Sequence, residues 1–221
     1  MARGLFITLE GVEGSGKTTQ AAILADRLRA LGYAPATTRE PGGTRAGVVI
    51  RTIFLDPAVA LEPAAELLLV LADRAQHVRE KLEPALAAGT IVISDRYSDS
   101  TVAYQGYGRG FDRRLLDELN RLASNATAPD LTFVLDCPVE LGLARTRARQ
   151  TGGAASARQT AGIKPDRFEG EQLEFHRRVR EGFLAIAHAE PARVTVIDAT
   201  LSADAVSAAI LRAVTLRLEP S

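Results

Sequence analysis

Gly11-Val12-Glu13-Gly14-Ser15-Gly16-Lys17-Thr18 meets the pattern G-x-x-x-x-G-K-[ST] at every defined position, and the rest of the 221-residue chain is read outward from it. Gly11, Gly14 and Gly16 let the backbone turn tightly, so that successive N–H groups converge into a concave anion site at a helix N-terminus. Lys17 adds a mobile positive charge, and Thr18 puts a hydroxyl where a Mg²⁺ ion on the outer phosphates needs an oxygen ligand. The ligand this implies is a nucleoside triphosphate. The same glycines would also serve a plain strand-to-helix turn, so the flanks matter. Leu5 to Leu9 reads as a short buried strand, and Leu24, Leu28 and Leu31 recur at helical spacing up to Gly32.

Further apolar runs lie at Thr90 to Ser94, Leu131 to Leu135 and Val194 to Ile197, with a weaker one near Ala36 to Thr38, and helical patterns separate them. Strands that alternate with helices, and that lack polar alternation, predict a doubly wound α/β fold: a five-stranded parallel sheet with helices on both faces. Ligands in such folds gather at the carboxyl ends of the strands. The residues there are Glu10, Arg39-Glu40, Asp95-Arg96, Asp136 and Asp198.

Glu62 to Ala88 predicts one long helix, with Leu67, Leu71, Ala75, Val78 and Leu82 as its core stripe and Pro84 bending or ending it. Thr151 to Ile163 (TGGAASARQTAGI) has no apolar period and predicts a mobile loop. With no internal repeat and no linker, residues 1–221 read as a single domain with a lid at about 145–168 inserted in it. The 27 basic residues balance the 27 acidic ones, which argues against a nucleic-acid partner recruited by a general basic field. Cys137, the lone cysteine, excludes an internal disulfide and fits a cytoplasmic setting. No run approaches the 18 or so apolar residues of a membrane helix, so no membrane partner is expected.

Asp95-Arg96 directly follows an apolar run, beside the phosphate loop. An Asp there can hold Mg²⁺ or its waters, and an Arg can fork two N–H groups onto a phosphate; a salt-bridged pair capping the next helix would look the same. Arg145, Arg147, Arg149, Arg158, Arg167 and Lys164 stand against Asp166 alone. That excess predicts either a lid closing over phosphates or a solvated basic face. Arg74, close to an apolar stripe, needs a partner and is either ion-paired with a neighbour of Asp73 or a base-reading group. His77, His176 and His188 fall in helical patterns away from strand ends, and none reads as catalytic. The absence of a base fits transfer to a phosphate oxygen, which is already ionised at neutral pH and needs cations rather than a proton acceptor.

Taken together, Phe6-to-Thr19 (FITLEGVEGSGKTT), Arg39-to-Thr44 (REPGGT), Asp95-Arg96-Tyr97, Ser100-to-Gly110 (STVAYQGYGRG) and Asp166-Arg167-Phe168-Glu169 resemble the bacterial thymidylate kinases, over nearly the whole chain. The resemblance implies a P-loop NTPase-type fold with an Arg-rich lid, and transfer of the γ-phosphoryl group of ATP to dTMP with Mg²⁺. It implies ATP on Gly11 to Thr19 and Arg145, and Mg²⁺ on Thr18 and Asp95. Lys17, Asp95 and Arg96 are implied as catalytic, with a lid arginine, Arg149 or Arg158, because the phosphate loop carries none. For the acceptor it implies Glu13, Glu40, Pro41, Leu55, Arg74, Arg96, Ser100, Thr101, Tyr104, Gln105 and Glu169. Within that set Arg96 grips the phosphate, Glu13 faces the deoxyribose, Arg74 and Thr101 read thymine, and Tyr104 crowds the 2′ position. A homodimer is implied as well. Val70 departs from the pattern, standing one helical turn before Arg74 where relatives often have an aromatic ring on thymine. The competing readings are another nucleoside monophosphate or deoxynucleoside kinase, and a nucleotide-dependent switch. The switch predicts the strings D-x-x-G and N-K-x-D, which the chain lacks.

Overall fold

A computed structural model describes residues 3–151 and 167–218. The strands are β1 (Phe6–Glu10), β2 (Ala36–Arg39), β3 (Val92–Asp95), β4 (Leu131–Asp136) and β5 (Val194–Asp198). They form one parallel sheet in the order β2-β3-β1-β4-β5. Chain order therefore reverses about β1, with β3 on one side and β4 on the other, and the carboxyl ends at that reversal are where a ligand crevice opens.

Why the sheet is covered on both faces is visible in β1. Phe6, Ile7, Thr8, Leu9 and Glu10 are all fully buried, although successive side chains of a strand point to opposite faces. Ile7 and Leu9 join the larger core with Leu24 and Leu28. Phe6 joins a smaller cluster with Val78, Leu82, Leu86, Val92 and Tyr97. Edge strand β2 alternates half-buried and exposed residues, which is why its run reads weakly in the sequence. β1, β3, β4 and β5 each run to an acid: Glu10, Asp95, Asp136 and Asp198 are the last residues of their strands rather than the first residues after them. Parallel pairing carries them there, with Leu9 opposite Asp95 and Asp136 opposite Asp198.

The helices are α1 (Lys17–Ala30), α2 (Arg45–Leu55), α3 (Pro63–His77), α4 (Glu83–Ala87), α5 (Ser98–Thr101), α6 (Arg113–Ser124), α7 (Val139–Thr151), α8 (Leu173–Ala189) and α9 (Ala203–Leu218). Wider π-helical turns join α3 to α4 at Val78–Leu82 and extend α5 at Val102–Gly108, and a 3-10 turn spans Arg167–Gly170. Helical structure thus continues through Pro84, which neither ends the segment nor stands in an α-helix interior. The π turn ahead of it supplies the room that a proline ring takes from the carbonyl four residues back. Ala75 is exposed, so the buried stripe of α3 passes through Leu67, Val70, Leu71 and Arg74 instead. Leu31 caps α1 and is exposed, because the helix has already turned away at Gly32. The loop expected over Thr151 to Ile163 lies outside the described residues beyond Thr151, as do Arg158, Lys164 and Asp166.

The phosphate loop leans on α7. Gly14 has φ +70°, and a Cβ placed on it would stand 1.9 Å from the carbonyl oxygen of Gly142. Gly14→Ala is expected to lower stability by at least about 2 kcal/mol, left-handed strain and a backbone collision acting together. A urea titration checks it, and a loss under about 1 kcal/mol would mean that α7 yields at little cost.

Candidate functional site

Gly16, in a left-handed conformation, is the N-cap of α1, whose first turn carries no acid. The loop amides and the helix N-terminus are thereby left to an anion. Lys17 is not the mobile surface charge its position suggests. Its Nζ is buried and donates to Gly11 O (3.0 Å), Val12 O (2.8 Å) and Ser15 Oγ (3.2 Å). Burial, with the Arg96 charge added, pushes the ammonium down to about 8. Thr18, exposed like Thr19, donates from Oγ1 to Asp95 Oδ2 at the end of β3.

Arg96 follows Asp95 and holds φ +73°, an uncommon conformation for a side chain this large. Nη1 donates to Gly11 O and Ser100 Oγ, both at 3.0 Å, and Nη2 donates to Glu13 Oε1 (3.2 Å) and Tyr104 OH (3.0 Å). The guanidinium also lies 4.9 Å from the Tyr104 ring centre. Tyr104 OH in turn donates to Glu13 Oε1. Burial would raise the Glu13 carboxyl, but His176, Arg96 and Lys17 outweigh it and hold it at about 2. Below this cluster lies Glu10, which accepts from Tyr97 N (2.7 Å) and Ser100 Oγ (2.6 Å). Sequence spacing alone did not unite these groups; the end of β1, the phosphate loop, the end of β3 and the π segment do.

A second polar cluster is built on α3. Arg74 is 2% exposed and uses four of its five N–H groups. Nε donates to Glu40 Oε2 (2.9 Å), Nη1 to Thr101 Oγ1 (2.9 Å) and Asn120 Oδ1 (2.5 Å), and Nη2 to Tyr97 O (3.0 Å). Arg74 is thus ion-paired, with Glu40 rather than with a neighbour of Asp73, and among the described residues one of its N–H groups has no hydrogen-bond partner. Glu40 also meets His77 Nδ1 at 2.8 Å, and His77 Nε2 meets Thr38 Oγ1 at 2.6 Å. Pro41, buried after a cis peptide bond, gives its carbonyl to Arg51 Nη1. Val70 is buried one turn before Arg74.

Gln105 is engaged inside the protein. Its Nε2 donates at 2.8 Å to Glu66 Oε1, on a fully buried carboxylate that also pairs with Arg109 (3.0 Å) and Arg167 (2.9 Å). Leu55 ends α2 half-buried against the main core, and Glu169 sits half-buried in the 3-10 turn. Arg145 Nη1 donates to Ala199 O at 2.9 Å, after β5, and Arg149 lies exposed near the end of α7. Arg158 lies outside the described residues. Sequence reasoning missed Glu66, the contact of His77 with Glu40 and that of His176 with Glu13. Glu66 alone left a signal, as an acid inside the apolar run Ala64-Ala65-Glu66-Leu67-Leu68.

Among the described residues no three His, Cys, Asp or Glu side chains gather as a metal cage. A hydroxyl and one carboxylate in contact, Thr18 and Asp95, are the hard oxygen donors with which Mg²⁺ is held when substrate phosphates and water complete its shell.

A family model for thymidylate kinase matches residues 9–210. The chain is 50% identical over 215 residues to the thymidylate kinase of Trichlorobacter lovleyi, which spans 97% of this chain and 98% of the relative. It is 51% identical over 217 residues to that of Deinococcus radiodurans, with 98% and 99% covered. The crystal structure of thymidylate kinase from Ehrlichia chaffeensis superposes with a TM-score of 0.74 at 34% identity, over 96% of this chain and 99% of that one.

Burial, and then the neighbouring Asp99 charge, raise the Glu10 carboxyl from 4.5 to about 7. A folded chain that binds this proton more tightly is favoured by it below the ordinary value of 4.5, and loses the benefit as pH rises through about 7. The stability of the protein relative to its Glu10→Gln variant is therefore expected to fall across that window. Urea midpoints of the two measured from pH 4 to pH 8 read the difference, and a flat difference would overturn it.

Proposed function

The chain belongs to the thymidylate kinase family, and from that premise we propose how its residues divide the transfer of the γ-phosphoryl group of ATP to dTMP, which gives dTDP and ADP. The observation that carries the assignment is a shared atom. Lys17 and Arg96 both donate to the Gly11 carbonyl, each at 3.0 Å, so the two cations stand within twice that distance of each other. That is a spacing at which one polyanion is handed to another.

Lys17 exchanges its loop carbonyls for the outer phosphates of ATP, which restore its full charge, and the amides of Gly11 to Thr19 cradle them, with Arg145 nearby. Thr18 and Asp95 would hold Mg²⁺, which would supply positive charge to neutralise the phosphates. Arg96 turns Nη2 from Glu13 to the dTMP phosphate while Nη1 stays anchored. Glu13 faces the deoxyribose, with Ser100 beside it, and Tyr104 closes the 2′ position. Arg74, fixed from four sides, reads thymine with its remaining N–H, and Thr101 and Glu40 fix its angle. Pro41, Leu55, Gln105 and Glu169 line the acceptor side, Gln105 through its bond to Glu66. Arg149 or Arg158 brings the further cation for the transition state. The acceptor oxygen is ionised, so no base takes part.

The reading extends to a single domain working in the cytoplasm as a homodimer. Support for the dimer comes from one apolar face. Val48, Val49 and Ile53 on α2, Leu68 on α3 and Leu122 on α6 are exposed, and α3 packs between α2 and α6. Light scattering is expected to give twice the chain mass, and Leu68→Glu to shift it toward one; a wild-type monomer would overturn this.

A coupled ADP-release assay tests the function. dTMP is expected to be the best acceptor, with UMP and dGMP poor, and Lys17→Ala to cut turnover by about 100-fold or more with the fold retained. Tyr104→Phe keeps the ring and is expected to keep the preference for deoxy acceptors, whereas Tyr104→Ala narrows it. UMP or dGMP used as well as dTMP by the wild type would sink the assignment.

A further inference from the structure

We propose that His176 on α8 is a positioning residue for the acceptor side, holding the Glu13 carboxylate from behind so that Arg96 can leave it for the acceptor phosphate. The proposal rests on Glu13 and Arg96 belonging to the acceptor site.

His176 is 1% exposed, between Phe175 and the core residues Val179 and Phe183 of the same helix. Its ring stands edge-on to Phe175 at 5.6 Å. A histidine in such a place ordinarily has both ring nitrogens satisfied, because a buried polar group without a partner costs free energy. Here neither nitrogen has an aligned hydrogen bond among the described residues. Nδ1 stands 3.2 Å from Glu13 Oε2, and that oxygen also lacks an aligned partner. The pair is in contact but not locked.

The other oxygen of Glu13 is crowded. Oε1 receives Arg96 Nη2 and Tyr104 OH. When Arg96 turns to a phosphate, Oε1 loses its cation as a new negative charge arrives nearby. The carboxylate must then be repelled into another rotamer or be held at Oε2. Among the described residues His176 is the group in contact with Oε2, with Nδ1 already at hydrogen-bonding distance from it. Of the contacts that keep Glu13 ionised against burial, His176 is already the largest, ahead of Arg96 and Lys17. A packing role alone would need only a ring of similar size. The positioning role needs an N–H at the δ position.

Two variants separate these. His176→Phe keeps a ring without the donor, and His176→Asn keeps a donor near Nδ1 without the ring. We expect His176→Phe to raise KM for dTMP about tenfold or more, the scale of one hydrogen bond to a charged group, with KM for ATP nearly unchanged. His176→Asn is expected to restore most of that loss, and His176→Phe to add little in a Glu13→Gln background. Thermal melts run alongside, and if the Phe variant does not fold, the smaller donor-free His176→Met replaces it. Equal losses in the donor-free and Asn variants, equal shifts in both KM values, or effects that add across the Glu13 pair would overturn the proposal. If Glu13→Gln itself leaves KM for dTMP unchanged, the acceptor reading of Glu13 fails and the proposal with it. If Glu13→Gln raises KM but His176→Phe does not, only the proposal fails.

Discussion

Two like charges held on one carbonyl oxygen set the terms for everything around them. Lys17 and Arg96 both converge on Gly11 O, and at a separation of about 6 Å two unit charges repel by about 3 kcal/mol even at an effective dielectric of 20. A fold that merely needed stability would keep them apart. The surrounding carboxylates are the compensation: Glu13 in the phosphate loop, Glu10 beneath, Asp95 alongside, each entering the electrostatics of Lys17 or Arg96. The arrangement is balanced without phosphates, and in the proposed reading Lys17 gains when they arrive, since it then exchanges neutral oxygens for charged ones. Strain is part of it, for Arg96 holds a left-handed backbone that only a specific surrounding keeps in place.

Those carboxylates come from the parallel sheet. Every strand of such a sheet points its carboxyl end the same way, so acids at the ends of β1 and β3 and the loop leaving β1 collect in one crevice without long connections. Burial of β1 on both faces then decides their character. Glu10, at its last residue, holds its proton to higher pH, whereas Glu13, three residues on, reaches cations and stays charged.

The sheet and the loop were legible because each rests on local signals: apolar runs for strands, glycines for a phosphate loop, and the order of the two. β1, β3, β4 and β5 were read to within two residues of their bounds. The partners of buried polar side chains were not legible, since they are set by packing between elements far apart in sequence. Arg74 plainly needs a partner, yet the sequence does not point to Glu40, Thr101, Asn120 and Tyr97, which take four of its N–H groups. His176 sat on an apolar helical stripe, and only the approach of α8 to the phosphate loop shows that one edge of the ring meets a carboxylate.

The π segment decides where its own side chains go. In an α-helix Thr101, Tyr104 and Gln105 would share one face, at i, i+3 and i+4, and would present themselves to a single ligand. Over Val102–Gly108 the wider turn fans them out, and each meets a different partner: Thr101 the Arg74 guanidinium, Tyr104 the Glu13–Arg96 pair, Gln105 the buried Glu66. Each of the three side chains is thus committed to a protein partner, and in the proposed reading those partners surround the acceptor. In that reading the acceptor side is built before any acceptor arrives, and its ordering cost is met by folding rather than by binding. On the same reading selectivity depends on how rigidly Arg74, Glu13 and Glu66 are held, which makes the backbone of this one segment as much a part of recognition as the side chains it carries.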